Sequence, residues 1–158
     1  MRRKDREVKD AAEIANIISE AKILHLGLFD GDFPYVVPVH YGYEFNNGIL
    51  TLYIHSAKEG HKLDLISSNP NVCVEMECNV TPVSGGDVPC RYGTMYTSVI
   101  GKGKATLITD VNEKIHGLNL LMQNMIGKTF KISPLMAFTV AVIKVEITEY
   151  TAKARKNA

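Results

Sequence analysis

The chain has 158 residues, 46% of them hydrophobic and 22% charged, with a formal net charge of +1. That composition fits one globular domain spanning residues 1–158 around a single core. The near-zero charge excludes a global field that would hold nucleic acid or an anionic membrane, so any anion site must be local.

The three cysteines, Cys73, Cys78 and Cys90, do not form a pairable set. No apolar leader follows the basic opening Met1-Arg2-Arg3-Lys4, and the apolar run at 137–145 is too short to span a bilayer. A cytoplasmic protein without membrane contact is therefore expected.

Asp10 followed by Glu13 is a capping box. It opens a helix whose Ile14, Ile17, Ile18 and Ala21 share one face. A strand follows over 23–29, then a turn at Asp30-Gly31-Asp32, where Pro34 is expected to prevent early pairing. Residues 35–44 read as a second strand, with Pro38 marking an edge, a bulge or a break because it has no N–H for a ladder. Asn46-Asn47-Gly48 is a hairpin turn leading to an antiparallel third strand over 50–55.

A short helix over 57–67 is predicted next, stopped by Asn69-Pro70. Val72, Val74 and Met76 alternate along a strand over 72–78. Residues 79–91 read as a long loop, and 95–109 as a long strand loosened by Gly101 and Gly103. Asp110 and Glu113 form a second capping box. The helix it opens carries an apolar stripe of Ile115, Leu118, Leu121, Met122 and Met125, and Gly127 is its stop. A final strand over 138–150 turns Val145 and Ile147 inward. Residues 1–9 and 151–158 are expected to be peripheral tails. The sum is a mainly β chain, a six- to seven-stranded antiparallel barrel with flanking helices.

The chemistry gathers at Tyr53 to Lys62. Ser56 and Glu59 match a capping box, which alone would make the stretch a helix start. That leaves Lys58 and Lys62 unexplained, since cations in a first helical turn oppose the macrodipole. A bound phosphate resolves this: backbone N–H groups, the Ser56 hydroxyl, two ammoniums and His61 would converge on it, with Gly60 allowing close approach.

Val37-Pro38-Val39-His40 is the second candidate. A ladder broken at Pro38 could present free backbone groups to the polar edge of a flat ring. Tyr96 and Ser98 share a face of the long strand. Cys73 and Cys78 have four residues between them, and no Cys-x-x-Cys or His-x-x-x-His spacing occurs. No metal site is expected. Cys90 beside Arg91 reads as either a reactive thiol or an incidental one.

Three runs carry a resemblance over nearly the whole chain: Phe33-Pro34-Tyr35-Val36-Val37-Pro38-Val39, His55-Ser56-Ala57-Lys58-Glu59-Gly60-His61-Lys62, and Tyr96-Thr97-Ser98-Val99-Ile100-Gly101. With the basic opening and Lys153-Ala154-Arg155, they make the sequence similar to the nitroimidazole-resistance branch of the pyridoxamine-phosphate-oxidase-like flavoproteins. The resemblance implies an FMN-binding split β-barrel acting as a homodimer with FMN at the subunit interface.

It further implies that Ser56, Lys58, His61 and Lys62 take the phosphate, with His55 beside the phosphate or the ribityl chain. Val37, Pro38, Val39 and His40 would line the isoalloxazine, and Tyr96, Ser98 and Val99 would approach the ring from the partner. The family often has Arg where this chain has Thr97, which removes a planar cation. The implied activity is electron transfer from NAD(P)H through FMN to a small-molecule acceptor of nitroaromatic type. The alternative is a non-catalytic flavin carrier, sensor or store. His40 is the candidate acid or base.

Overall fold

The computed structural model of the chain describes residues 3–156. In chain order the elements are β1 (Glu7–Val8), α1 (Ala11–Glu20), β2 (Leu24–Asp30), β3 (Phe33–Val39), β4 (Gly42–Asn46), β5 (Ile49–Ser56), α2 (His61–Ser68), β6 (Asn71–Val83), β7 (Gly93–Leu107), α3 (Val111–Ile126), α4 (Pro134–Ala137) and β8 (Ala141–Arg155).

Every pairing is antiparallel, in the order β3-β2-β6-β7-β8-β5-β4, with β1 added to β8. β3 and β4 end this path and do not pair with each other, although only His40 and Tyr41 separate them in sequence. That gap is the split of the expected antiparallel split barrel. The sheet has eight strands rather than six or seven.

Both N-caps form, the Asp10 and Asp110 carboxylates each accepting the backbone N–H three residues on at 2.8 Å; of the predicted boxes this is the half that the structure shows. Ile14, Ile17 and Ile18 of α1 meet Leu63, Leu65 and Ile66 of α2 and the inward residues of the sheet in one core. The Asn46-Asn47-Gly48 turn forms with positive φ at Asn47 and Gly48, joining β4 to β5. Tyr41 fills the break between β3 and β4. It is fully buried, and its hydroxyl lies 2.7 Å from the carbonyls of Ile18 and Ala21, which the end of α1 leaves unbonded.

Several expectations are corrected. The predicted strand over 35–44 is two strands, β3 and β4. Pro34 does not block pairing: it stands opposite Phe29 in an edge strand, where a missing N–H can face away from the ladder. The predicted loop over 79–91 shrinks, because β6 runs on to Val83 through an irregularity between Cys78 and Thr81, with Asn79 at positive φ. β8 begins at Ala141, after the short helix α4, not at Phe138.

Neither predicted tail is wholly peripheral. Residues 151–155 continue β8 and pair with β7, while Glu7 and Val8 pair with Lys153 and Ala152. Buried Ala152 and Ala154 alternate with the basic residues there, and that short apolar face holds the strand. Met1, Arg2 and residues 157–158 lie outside the described residues. Of the predicted α3 stripe, Leu121 is buried and the other four are half-buried; Gly117 is the helix's other buried residue.

Candidate functional site

The sharpest departure from the sequence reading falls at the anion corner. α2 begins at His61, four residues later than predicted, and its N-cap is Gly60 rather than Ser56. Ser56 is the last residue of β5, and Ala57 to Gly60 form a bend. Gly60 has φ 137° and ψ 158°, a conformation essentially reserved for glycine. Its carbonyl accepts from Leu63 and Asp64, at 2.8 and 3.4 Å, so the N–H groups of His61 and Lys62 open the helix without backbone acceptors. Lys58 is therefore on the bend, not on a helical face shared with Lys62.

Lys58 and Lys62 form no ion pair among the described residues, and Ser56 Oγ has no hydrogen-bond partner there. His55 is held below the ordinary histidine range, first by desolvation and then by the charges of His40 and Lys62. Desolvation also lowers Lys62. His40 and Lys62 thus act on His55 as positive charges, and no acidic group is among the causes of its shift. An anion is the natural complement, and the residues fit a phosphate.

A pH consequence follows. Because the folded chain depresses His55, it binds fewer protons than the unfolded chain as pH falls through about 6.5, and stability declines in that direction. An anion beside His55 reverses the effect. Adding inorganic phosphate or FMN should raise the His55 titration midpoint measured by NMR. An unmoved midpoint would place the anion elsewhere.

His61 is placed differently from its sisters. Its Nε2 meets Asp30 Oδ2 at 2.7 Å, and its ring stands edge-on to Tyr35 at 5.3 Å. It joins α2 to the β2–β3 turn and can give an anion its backbone N–H. On β3, Val37 and Val39 turn towards the core and Pro38 outwards, so these three residues offer one side chain and a free strand edge.

His40 lies just past that strand. Its Nδ1 is 3.0 Å from the Lys22 carbonyl; as donor there, it leaves Nε2 free to accept. Tyr96 and Ser98 stand at the far end of β7. Leu107, opposite Ile143, is near the corner where Ser56 pairs with Ala141, and Ser98 is nine residues back, roughly 30 Å along the strand. Val99 is fully buried in the core. One chain does not bring this group to the anion corner.

Two features escaped the sequence reading. A concavity of about 710 Å³ lies not at the corner but on the outer sheet face, walled by Phe29, Pro34, Val36, Cys73 and Lys102 among others. On the same face His25 stands opposite Glu75, with Glu77 two residues further along β6. Desolvation and the adjoining Glu77 push the Glu75 carboxyl up to about 7, with His25 opposing. Residues fifty apart in sequence meet only through strand register, so no local spacing signals them.

The family model described as pyridoxamine 5′-phosphate oxidase matches residues 10–154. Among solved structures, a candidate 5-nitroimidazole antibiotic resistance protein from Bacteroides thetaiotaomicron is 33% identical, with a TM-score of 0.79, over 94% of this chain and 86% of its own. A candidate pyridoxamine 5′-phosphate oxidase from Listeria innocua is 25% identical, with a TM-score of 0.58, over 90% of this chain and 96% of its own. The flavocytochrome Anf3 from Azotobacter vinelandii shares the fold at 18% identity and a TM-score of 0.80, over 99% of this chain and 72% of its own. No curated protein matches the chain significantly. No helix among the described residues is long and apolar enough to cross a membrane.

Proposed function

The chain belongs to the pyridoxamine 5′-phosphate oxidase family, and from that premise we propose that it is an FMN-binding oxidoreductase working as a homodimer. The observation that carries the reading is the anion corner: Lys58, Lys62 and Ser56, without partners among the described residues, beside the opening N–H groups of α2. In this reading they hold the phosphate of FMN, which separates FMN from unphosphorylated riboflavin. Gly60 sets the direction of the N–H groups, and His55 takes up a proton as the phosphate arrives. At the free edge of β3, Pro38 and His40 would be the residues that face the ring.

The homodimer is supported by two observations. Tyr96 and Ser98 are a strand's length from the corner, so a partner copy must supply them if they approach the same ring. Large apolar side chains also stand out from the surface, with Phe33 79% and Leu135 78% exposed, and a second copy would cover them.

When bound, the flavin supplies the redox chemistry, accepting electrons from a reduced nicotinamide and passing them to a small oxidised acceptor, nitroaromatic in class. The protein's share is to fix the ring and shape access to it. His40 can move a proton through Nε2, because the Lys22 carbonyl holds its other nitrogen.

The test is anaerobic mixing of the purified, FMN-loaded protein with NADH or NADPH. Loss of the oxidised flavin absorbance, and its return on adding a nitroaromatic, is the expected result. A flavin that stays oxidised with both donors would favour a carrier, sensor or store. His40→Gln should flatten the limb of the pH–rate profile set by this histidine, and an unchanged profile would remove His40 from the proton path.

A further inference from the structure

We propose that His25, Glu75 and Glu77 form a binding site for one divalent transition-metal ion, Zn²⁺ being the best match. The site is separate from the anion corner and does not depend on the flavin reading.

In the β2–β6 pairing His25 stands directly opposite Glu75, and Glu77 shares its face because it is two residues along the same strand. One imidazole nitrogen and two carboxylate oxygens therefore converge, all within 4.8 Å of one another. Both strands are inside the sheet, β2 between β3 and β6 and β6 between β2 and β7, so the backbone holding the donors is fixed. Ligands on rigid strands need little reorganisation to bind.

The donors are already spaced as a metal ion would need them. His25 Nδ1 lies 3.2 Å from Glu75 Oε2, a hydrogen bond, and 3.6 Å from Glu77 Oε2. Ligands about 2.1 Å from a tetrahedral zinc ion are about 3.4 Å from one another. The two His25 distances bracket that value, so an ion could replace the hydrogen bond with little movement of the donors.

Charge points the same way. Glu75 and Glu77 sit side by side, and among the described residues neither is paired with a lysine or arginine. The cation nearest in the ladder, Lys102, is committed to Glu149 at 2.9 Å. Two carboxylates facing one imidazole gain most from a divalent ion, which takes all three as ligands at once. The nitrogen donor favours Zn²⁺ and its transition-metal neighbours over Mg²⁺ and Ca²⁺, which prefer oxygen. Three protein ligands also leave a coordination position open. His25 and Glu75 line the 710 Å³ concavity, so that position can reach water or a small ligand held there.

The test uses the full chain after chelator treatment. Calorimetric titration with Zn²⁺ should give one ion per chain, with Mg²⁺ failing to compete. His25→Ala and the double variant E75Q/E77Q should each weaken uptake by more than about tenfold, while His55→Ala keeps it, showing that the other histidines do not provide the site. In the unsubstituted protein, Zn²⁺ should perturb the ring signal of His25 before those of the other four of its five histidines. This second readout holds even if a variant folds poorly. Absence of stoichiometric uptake would overturn the proposal. So would uptake unchanged by His25→Ala, or a first response at another histidine.

Discussion

Replacing both Lys58 and Lys62 with Ala is expected to weaken FMN binding by at least roughly 100-fold while leaving the fold intact. The magnitude follows from two charge-assisted contacts to phosphate, each contributing about 1.5–3 kcal/mol. Fold integrity follows because neither lysine is paired within the chain: Lys58 is exposed on a bend and Lys62 half-buried at the start of α2. Removing Lys62 also lifts its charge from His55. The double variant should therefore melt no lower than the parent without ligand. Fluorescence titration with FMN, alongside thermal melts of both apo-proteins, checks the two halves of this expectation. A variant that still binds FMN as the parent does would show that the phosphate is held elsewhere.

The second large effect is structural. Gly42→Ala should destabilise the chain by on the order of 3 kcal/mol, through overpacking that the site cannot relieve. At Gly42 the β4 backbone runs against α3. An added Cβ there would overlap the backbone of Leu120 and Leu121 and come within 2.8 Å of the Leu120 side chain. None of these atoms is the loose end of a flexible side chain, so α3 itself must move away. For a chain of this size the loss corresponds to a fall in Tm of roughly 6–12 °C.

Because α3 rests on both β4 and β5, with Gly117 against the Tyr53 ring, the shift would spread towards the β5 end that carries His55 and Ser56. Differential scanning calorimetry measures the effect directly. A melting temperature within a degree or two of the parent would mean that α3 yields more easily than its packing implies.

Where a residue's role depends on near neighbours, the sequence is a good guide. The N-caps at Asp10 and Asp110, the Asn47-Gly48 turn and the Gly127 stop are decided within four residues, and all form. The alternation of Val72, Val74 and Met76 likewise marks a core face. Two locally plausible signals compete at Ser56 and Gly60. Ser56 has the residue type for an N-cap and a glutamate three residues on, but strand pairing with Ala141 extends β5 through it. The cap then passes to Gly60, whose conformation allows the chain to turn into α2. Tertiary pairing overrides local propensity there, and the lysines end up on two elements instead of one helical face.

Long-range meetings are the part the sequence hides. Nothing near Lys153 announces that the strand will pair with β7 and turn Ala152 and Ala154 into the core, and the basic tail looks solvated until the pairing is known. His25 and Glu75 lie fifty residues apart and meet through register alone. His61 has the right type and position for an anion ligand, yet the β2–β3 turn brings Asp30 to its ring. In each case the deciding partner comes from a distant strand.

The central claim is that the Ser56–Lys62 corner binds the phosphate of a flavin. It is tested most directly by titrating the flavin-free protein with FMN and, separately, with riboflavin while following flavin fluorescence. The account predicts saturable binding of one FMN per chain, with riboflavin binding at least roughly 100-fold more weakly because it lacks the group that the lysines and the α2 N-terminus hold. Equal binding of the two, or no uptake of FMN at all, would contradict it.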